Sequence, residues 1–391
     1  MATFFLSTLF KLVLCTPPMA GIYIHIPFCH KACVYCDFHF TTSLRYKDRM
    51  IEALLLEIAS RHEQTSEQIE TIYFGGGTPS VLNSSDLGRI LDLLNQKYQI
   101  ESSAEVTLEA NPEDSSLTTL NEWKSIGINR LSIGVQSFRD EDLIWMNRGH
   151  SAQQAIESIE CAKREGFDNI SVDLIFGLPK FDIKHWISNL NQLLDLNVNH
   201  VSLYALTVEP KTALAHQVKK RLTEVAVDSE AAEQFMMARK MLMKKGYLHY
   251  EISNYAKPGW ESKHNSSYWK DVNYLGFGPS AHSFNGQKRR WNVSNNQRYM
   301  KAVEADEKFW ESETLSPTDR FNEYILTRLR TSWGCDLSYI ANEFGVDLSG
   351  EQELVKHLEA GTVVIENNSL RLAEKGLLLA DGIASDLFRG I

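Results

Sequence analysis

The sequence predicts an α/β chain in which a partial (β/α)6 barrel precedes a small, winged-helix-like α+β domain. Short apolar runs alternate with longer helical patterns up to about residue 245, and this alternation indicates right-handed βαβ units around a parallel sheet. Six such units favour a barrel that stays open over a closed eight-fold one. An open doubly wound sheet is the alternative.

The predicted barrel strands are short and apolar, and segments of helical periodicity separate them. The strands cover residues 22–26, 71–74, 104–108, 131–135, 170–176 and 201–206. The helices lie near residues 46–61, 84–97, 115–126, 153–165, 184–195 and 228–245. The barrel therefore occupies residues 19–245, and an irregular connector rich in aromatic residues and glycine follows at 246–314.

The last segment, residues 315–391, is predicted to form a separate small domain. Three helical patterns, at 317–332, 337–343 and 352–358, precede two short strands that flank a Glu-Asn-Asn-Ser turn. Three helices with a hairpin are typical of a winged helix. Because this segment lacks a basic face, we expect it to pack or to bind a partner rather than DNA.

Several barrel strands carry polar side chains on one face only. Glu105, Thr107 and Glu109 alternate with apolar residues in the third strand, as do Ser171 and Asp173 in the fifth. Side chains alternate between faces with period two, and a parallel strand covered on both sides is normally apolar on both faces. The pattern therefore predicts an outer face under helices and an inner face that lines a polar, ligand-filled cavity.

The polar positions also fall late in their strands. Glu109, Gln136 and Asp173 lie at or near carboxyl ends, where barrel folds build their active sites. A structural ion pair with an internal cation is the alternative for any single carboxylate. The convergence of all three predicts a site.

Three cysteines follow the first predicted strand. Cys29, Cys33 and Cys36 form a C-x3-C-x2-C motif, and three such thiolates can hold three irons of a [4Fe–4S] cluster. The fourth iron would then lack a protein ligand and stay open to a small molecule. The motif therefore predicts an iron–sulfur site with one free metal corner.

Two other interpretations of these cysteines compete with the cluster. They could bind zinc with a nearby histidine, His25, His30 or His39, or they could share no role. Structural zinc sites usually draw on two separated ligand pairs, and the remaining cysteines are scattered singly. Six cysteines in 391 residues also argue against a disulfide framework.

A glycine run, Gly75-Gly76-Gly77-Thr78-Pro79, ends the second predicted strand. Glycines at a strand end allow close backbone approach to a ligand, and exposed N–H groups there can bind a carboxylate. The same residues also form ordinary turns. Their position one strand after the cysteines favours a ligand site.

Composition indicates an ordinary globular protein. The chain is 43% hydrophobic and 23% charged, and its formal net charge is −10. An acidic balance argues against nucleic-acid binding, which requires clustered Lys and Arg. The first 18 residues are largely apolar but too short to span a bilayer. We interpret residues 1–18 as a dispensable extension and Met19 as the biological start.

These motifs together resemble the radical S-adenosylmethionine (SAM) proteins. From Gly21 onward the chain is similar to the branch that contains oxygen-independent coproporphyrinogen III oxidase and its relatives that act as heme chaperones. The oxidase has a longer segment before its cysteines and a fourth cysteine two residues after the third. Here Asp37 and Phe38 follow Cys36, so the resemblance favours a heme chaperone.

The resemblance implies a role for each matching residue. Cys29, Cys33 and Cys36 would ligate the [4Fe–4S] cluster, and no residue is assigned as catalytic. The residues that would contact SAM, or a second SAM as in the oxidase, are Tyr23, Tyr35, Gly76, Gly77, Thr78, Glu109, Gln136, Arg148, Asp173 and Thr207. SAM would chelate the open iron, and an electron from the cluster could cleave its C–S bond.

A second motif, His264-Asn265-x-x-Tyr268-Trp269, matches the HNxxYW motif that is tied to heme in this branch. From the residues alone, a packed connector with core aromatics would be the preferred interpretation. The resemblance instead implies that His264 binds heme.

Three functions follow as expectations. The first is a cytoplasmic heme chaperone that passes heme to acceptor hemoproteins such as respiratory enzymes, with at most peripheral membrane contact. The second is oxygen-independent coproporphyrinogen III oxidase. The third is another radical SAM enzyme, such as one that modifies RNA, which the acidic balance disfavours. The sequence leaves a homodimer open.

Overall fold

A computed structural model describes residues 20–179 and 182–390. The predicted extension at residues 1–18 and the proposed start at Met19 lie outside the described residues. The described chain forms a 12-stranded mixed sheet wrapped by helices, followed by a small domain with a three-stranded sheet.

Six parallel strands pair in their sequence order and form the barrel wall. They are β1 Ala20–Ile26, β2 Ile69–Gly76, β3 Ile100–Ala110, β4 Arg130–Gln136, β5 Asn169–Phe176 and β6 His200–Ala205. A doubly wound sheet would reverse its strand order at a switch point, so consecutive order excludes that alternative. The partial barrel predicted from the sequence is confirmed.

Among the described residues, eight α-helices belong to the barrel segment. They are α1 Lys47–Ser60, α2 Ser84–Lys97, α3 Leu117–Ser125, α4 Asp140–Trp145, α5 Ala152–Arg164, α6 Ile183–Asp195, α7 Ala213–Lys219 and α8 Asp228–Lys244. The short helices α4 and α7 were not predicted. Helix α5 begins at a capping box formed by Ser151 and Gln154. Helix α6 buries Trp186, Leu190 and Leu193 at intervals of four and three residues, the spacing of one helix face.

The segment that was predicted to be irregular, residues 246–314, extends the sheet at both edges. It forms β7 Leu248–Glu251, β8 Asn254–Ala256, α9 Lys263–Trp269, β9 Tyr274–Phe277, β10 His282–Phe284, β11 Lys288–Asn292, α10 Asn296–Glu304 and β12 Trp310–Thr314. Strand β8 pairs with β6, and β9 pairs with β1. Strands of three to five residues carry too little periodicity to be predicted, and here they cover edges that would otherwise stay unpaired.

The C-terminal domain has its own hydrophobic core. It contains α11 Pro317–Leu329, β13 Cys335–Asp336, α12 Leu337–Phe344, α13 Gln352–Ala360, β14 Val363–Glu366, β15 Ser369–Leu372 and α14 Ala380–Asp386. Asn367 and Asn368 both have positive φ, as a two-residue type I′ hairpin turn requires.

A buried ion pair fastens α1 to the covering strands. Arg61 donates to the Glu57 carboxylate at 2.6 Å and to the Gly276 carbonyl at 2.7 Å. Glu57 also accepts from the Tyr299 hydroxyl at 2.6 Å and from the Gly278 N–H at 2.8 Å. Each partner of the pair is therefore satisfied only while β9 and α10 stay docked.

We predict that Arg61→Ala lowers the free energy of unfolding by about 3–5 kcal/mol, because it leaves the Glu57 carboxylate buried without its counter-ion. The matched control is Arg89→Ala, which removes an exposed pair with Glu52 at 2.7 Å and should leave stability almost unchanged. Urea unfolding of both variants checks this. Equal losses would contradict the assigned role of the buried pair.

Candidate cluster and cofactor site

A cavity of about 380 Å³ opens at the carboxyl ends of the barrel strands. Cys29, Cys33 and Cys36 all line it. Nine of the ten residues predicted to contact SAM line the same cavity: Tyr35, Gly76, Gly77, Thr78, Glu109, Gln136, Arg148, Asp173 and Thr207. The tenth, Tyr23, does not line it. The structure thus brings together residues that are up to 178 positions apart in the sequence, from Cys29 to Thr207.

The cysteine loop is held by backbone hydrogen bonds on both sides. The Cys29 N–H donates to the Thr41 carbonyl at 3.0 Å, and the Val34 N–H donates to the Met146 carbonyl at 3.2 Å. These bonds tie the loop to the chain that follows it and to the end of α4. The thiols therefore project from a fixed backbone rather than from a free loop.

Arg148 connects this loop to the barrel wall. Its guanidinium donates to the Cys33 sulfur at 3.3 Å and to both the Asn111 side chain and the Gly134 carbonyl at 2.7 Å. The sequence analysis did not identify Asn111, which directly follows the observed strand β3 but lies three residues beyond the predicted strand at 104–108.

The donor set fits a [4Fe–4S] cluster. Burial raises the pKa of the Cys29 thiol to about 11 and of the Cys36 thiol to about 12, so a bound cation must displace these protons. Among the described residues, no three His, Cys, Asp or Glu side chains converge on one metal ion. A cluster does not need such convergence, because each cysteine binds a different iron.

The histidines that could complete a zinc site have other partners. His25 Nε2 lies 2.9 Å from the His39 carbonyl, and His30 Nε2 lies 3.0 Å from Asp114 Oδ1. His39 Nε2 lies 2.7 Å from the Asn296 side-chain oxygen. None of the three lines the cavity with the cysteines, so the geometry gives the zinc alternative no support.

The glycine turn packs against the cysteine loop. A Cβ at Gly77 would lie 2.5 Å from the Phe28 carbonyl oxygen, and Gly76 has a φ of +107°. The N–H groups of Gly77 and Thr78 donate to the Ile26 and Phe28 carbonyls. The expectation that N–H groups of this turn bind a ligand carboxylate is therefore wrong for Gly77 and Thr78, which follow β2 and use their N–H groups to hold the cysteine loop.

Two of the carboxyl groups that line the cavity, those of Glu109 and Asp173, have raised pKa values. Burial raises the pKa of Glu109 to about 7, and Tyr73 donates to its carboxylate at 2.7 Å. Burial also raises the pKa of Asp173, whose oxygens lie 3.3 Å from the Ser132 hydroxyl. A bound ligand that carries positive charge would offset the cost of burying these groups.

Tyr23 lies one layer beneath the cavity. A Cβ at Gly75 would contact both the Tyr23 ring at 3.0 Å and Glu109 at 3.2 Å. The Tyr23 ring stacks on Tyr73 with centroids 6.2 Å apart. Tyr23 therefore neighbours a cavity residue without lining the cavity, and its contact with SAM stays a prediction.

His264 lies away from the cluster cavity. Its Nδ1 is 2.7 Å from the Thr71 hydroxyl, and its Nε2 is 2.9 Å from the Tyr268 hydroxyl. The ring is fully buried and stacks on Tyr73 at 5.0 Å. Both ring nitrogens are engaged, so iron ligation by His264 would require the loss of one of these contacts. Its role as a heme ligand stays a prediction.

Comparisons with known proteins agree with this site. Residues 23–193 match the Radical SAM superfamily, and residues 315–379 match the HemN C-terminal domain. The structure resembles coproporphyrinogen III oxidase (HemN) from Escherichia coli with a TM-score of 0.83. That similarity covers 95% of this chain and 90% of the other at 24% identity, and it shows the shared fold. The fold and the three-cysteine cavity thus define a radical SAM protein.

The sequence relatives narrow this class. The chain is 34% identical to heme chaperone HemW of Bacillus subtilis over 371 residues, which are 93% of this chain and 98% of the relative. It is 31% identical to HemW of Mycobacterium tuberculosis, over 94% of each chain. It is also 32% identical to the mitochondrial radical S-adenosyl methionine domain-containing protein 1 of Bos taurus, over 94% of this chain and 87% of that relative. The chain belongs to the HemW family.

We predict a pH signature for His264. Burial, reinforced by the charge of Arg130, lowers its pKa to about 3. As the pH falls, His264 therefore becomes protonated in the unfolded chain before it does in the folded protein. The stability that the neutral ring contributes is complete above pH 6.5 and is lost as the pH falls toward 3. When the pH is lowered from 6.5 to 5, the free energy of unfolding of the wild type should fall by about 2 kcal/mol more than that of His264→Gln. Urea unfolding at both pH values checks this, and parallel losses would contradict it.

Proposed function

We propose that this protein is a heme chaperone that binds heme and transfers it to acceptor hemoproteins, such as respiratory enzymes. The observation that supports this most strongly is the 34% identity to a heme chaperone, which extends over 98% of that relative. The coproporphyrinogen oxidase remains the second candidate, supported by a shared fold across 95% of this chain. The absence of a fourth cysteine after Cys36 favours the chaperone.

In this proposal Cys29, Cys33 and Cys36 hold a [4Fe–4S] cluster, and the cavity beside them holds SAM. When bound, the cluster and SAM supply one-electron chemistry at the SAM C–S bond. The protein's part is to fix the cysteine loop through Thr41, Met146 and the glycine turn. Arg148 adds a cation beside Cys33 at 3.3 Å.

The remaining parts of the proposal concern cargo and location. His264 is the proposed iron ligand once one of its two ring contacts opens. In the described residues, no helix is long and apolar enough to cross a membrane. We place the protein in the cytoplasm, where iron–sulfur clusters are assembled, with at most peripheral membrane contact. A homodimer would be compatible with these assignments.

The two candidate functions predict different outcomes in one anaerobic experiment. Reconstituted protein is titrated with heme and, separately, incubated with SAM, a reductant and coproporphyrinogen III. The chaperone predicts saturable binding of about one heme per chain with no decarboxylated product. Cys33→Ala should lose the cluster absorbance and retain heme binding, because His264 lies outside the cluster cavity. Turnover of coproporphyrinogen would overturn the chaperone proposal.

A further inference from the structure

A second cavity of about 620 Å³ lies at the opposite end of the barrel. Its wall includes Gly21, Thr71 and Glu105, which lie in the early parts of β1, β2 and the paired part of β3. Helix α9 and Trp333 of the C-terminal domain complete it. This basal cavity is within the roughly 300–1,000 Å³ that small-molecule sites occupy. It shares no lining residue with the cluster cavity.

One face of α9 lines the basal cavity. Lys263, Ser266, Ser267 and Lys270 all line it, and their spacing of three, four and seven residues places them on one side of a helix. The two lysines are exposed, and in residues 20–179 and 182–390 neither ammonium has a carboxylate within 4.0 Å. Seven residues of helix separate them by about 10 Å. The face therefore presents to one cavity two ammonium groups that have no carboxylate partner among the described residues.

Unpartnered polar atoms also point to a ligand. Ser266 is only 4% exposed, and its hydroxyl has no hydrogen-bond partner among the described residues. The Asn169 side-chain oxygen is buried and equally without a partner there. Both residues line the basal cavity. Because buried polar groups are almost always hydrogen-bonded, these two atoms are available to bond a molecule held in the basal cavity.

Two tryptophans give the cavity aromatic walls. Trp260 and Trp333 both line it, and the Lys270 ammonium lies 4.6 Å from the centre of the Trp333 ring. Indole rings favour stacking on flat aromatic ligands. A cation beside such a ring favours a ligand that is planar and also carries negative charge.

Carboxylates in the same wall oppose a negatively charged ligand to different extents. Glu105 accepts from the N–H groups of Lys263 and His264 at 3.3 and 3.1 Å, and Arg130 lies 3.9 Å away. The charge of the Glu105 carboxylate is thus balanced by groups within the protein. Glu70 has no such partner among the described residues, and Glu261 is a third lining carboxylate. Glu70 therefore competes with a ligand for the two lysines.

We propose that the basal cavity binds the tetrapyrrole cargo, with the macrocycle against Trp260 and Trp333 and its two propionates on Lys263 and Lys270. The proposal rests on the proposed heme function and adds where and how the cargo is held. It places the cargo at the opposite end of the barrel from the cluster. It also makes the carboxylates and the ring features that are recognised in addition to the iron, so that binding begins while His264 is still hydrogen-bonded to Thr71 and Tyr268.

The test compares affinities for iron protoporphyrin IX and for metal-free protoporphyrin IX, measured by tryptophan fluorescence quenching on the full chain. Lys263→Ala combined with Lys270→Ala should weaken both ligands about tenfold, as expected for the loss of two exposed charge pairs. Glu70→Gln should tighten both about threefold by removing a competing charge. The matched control, Lys240→Ala with Lys244→Ala on α8, should leave both affinities within about twofold.

The possible outcomes distinguish the proposed basal site from the proposed heme-chaperone function. Failure of the wild type to bind heme would overturn the proposed function itself. The basal site would be overturned if the double variant of Lys263 and Lys270 bound heme as the wild type does. It would also be overturned if metal-free protoporphyrin IX did not bind. Either result would leave the chaperone function standing. A double variant that still assembles its cluster shows that a loss of affinity is not a loss of folding. Opposite changes in the lysine and Glu70→Gln variants would support the site.

Discussion

A buried guanidinium organises the interior of the barrel. Arg130 is 1% exposed at the start of β4, and its Nε lies 3.9 Å from Glu105. A buried cation is stable only among compensating groups, and the inner faces of β3 and β5 supply them as carboxylates. The charge of Arg130 opposes the burial that raises the pKa values of Glu109 and Asp173, and it helps keep His264 neutral. Arg130 thus offsets part of the cost of burying the polar inner face of the strands.

That polar interior separates two cavities with different chemistry. At the carboxyl ends of the strands, thiols and carboxylates gather around Arg148, which suits a metal cluster and a cationic cofactor. At the other end, α9 presents lysines and the C-terminal domain presents Trp333, which suits a planar dianion. Between them the Tyr73 hydroxyl contacts Glu109 while its ring stacks on His264. Side chains in direct contact therefore join the two ends of the barrel.

Local periodicity explains how much of this could be predicted from the sequence. The alternation of β3 and β5 predicted the inner face, and the late positions of Glu109, Gln136 and Asp173 predicted that they meet at one cavity. The depth of Tyr23 could not be predicted, because it depends on rings from β2 and α9. The basal cavity was missed because its walls come from Gly21, α9 and Trp333, which are far apart in the chain. The short strands of residues 246–314 were missed because their pairing partners, not their own pattern, determine them.

The central claim is that one barrel has two separate ligand sites, and competition between the ligands tests it most directly. Heme affinity is measured anaerobically on cluster-loaded protein over a range of SAM concentrations. Separate sites predict that heme stoichiometry stays constant and that any change in the apparent Kd reaches a plateau once SAM saturates its site. An apparent heme Kd that rises in proportion to SAM without a plateau would show a shared site and contradict the account.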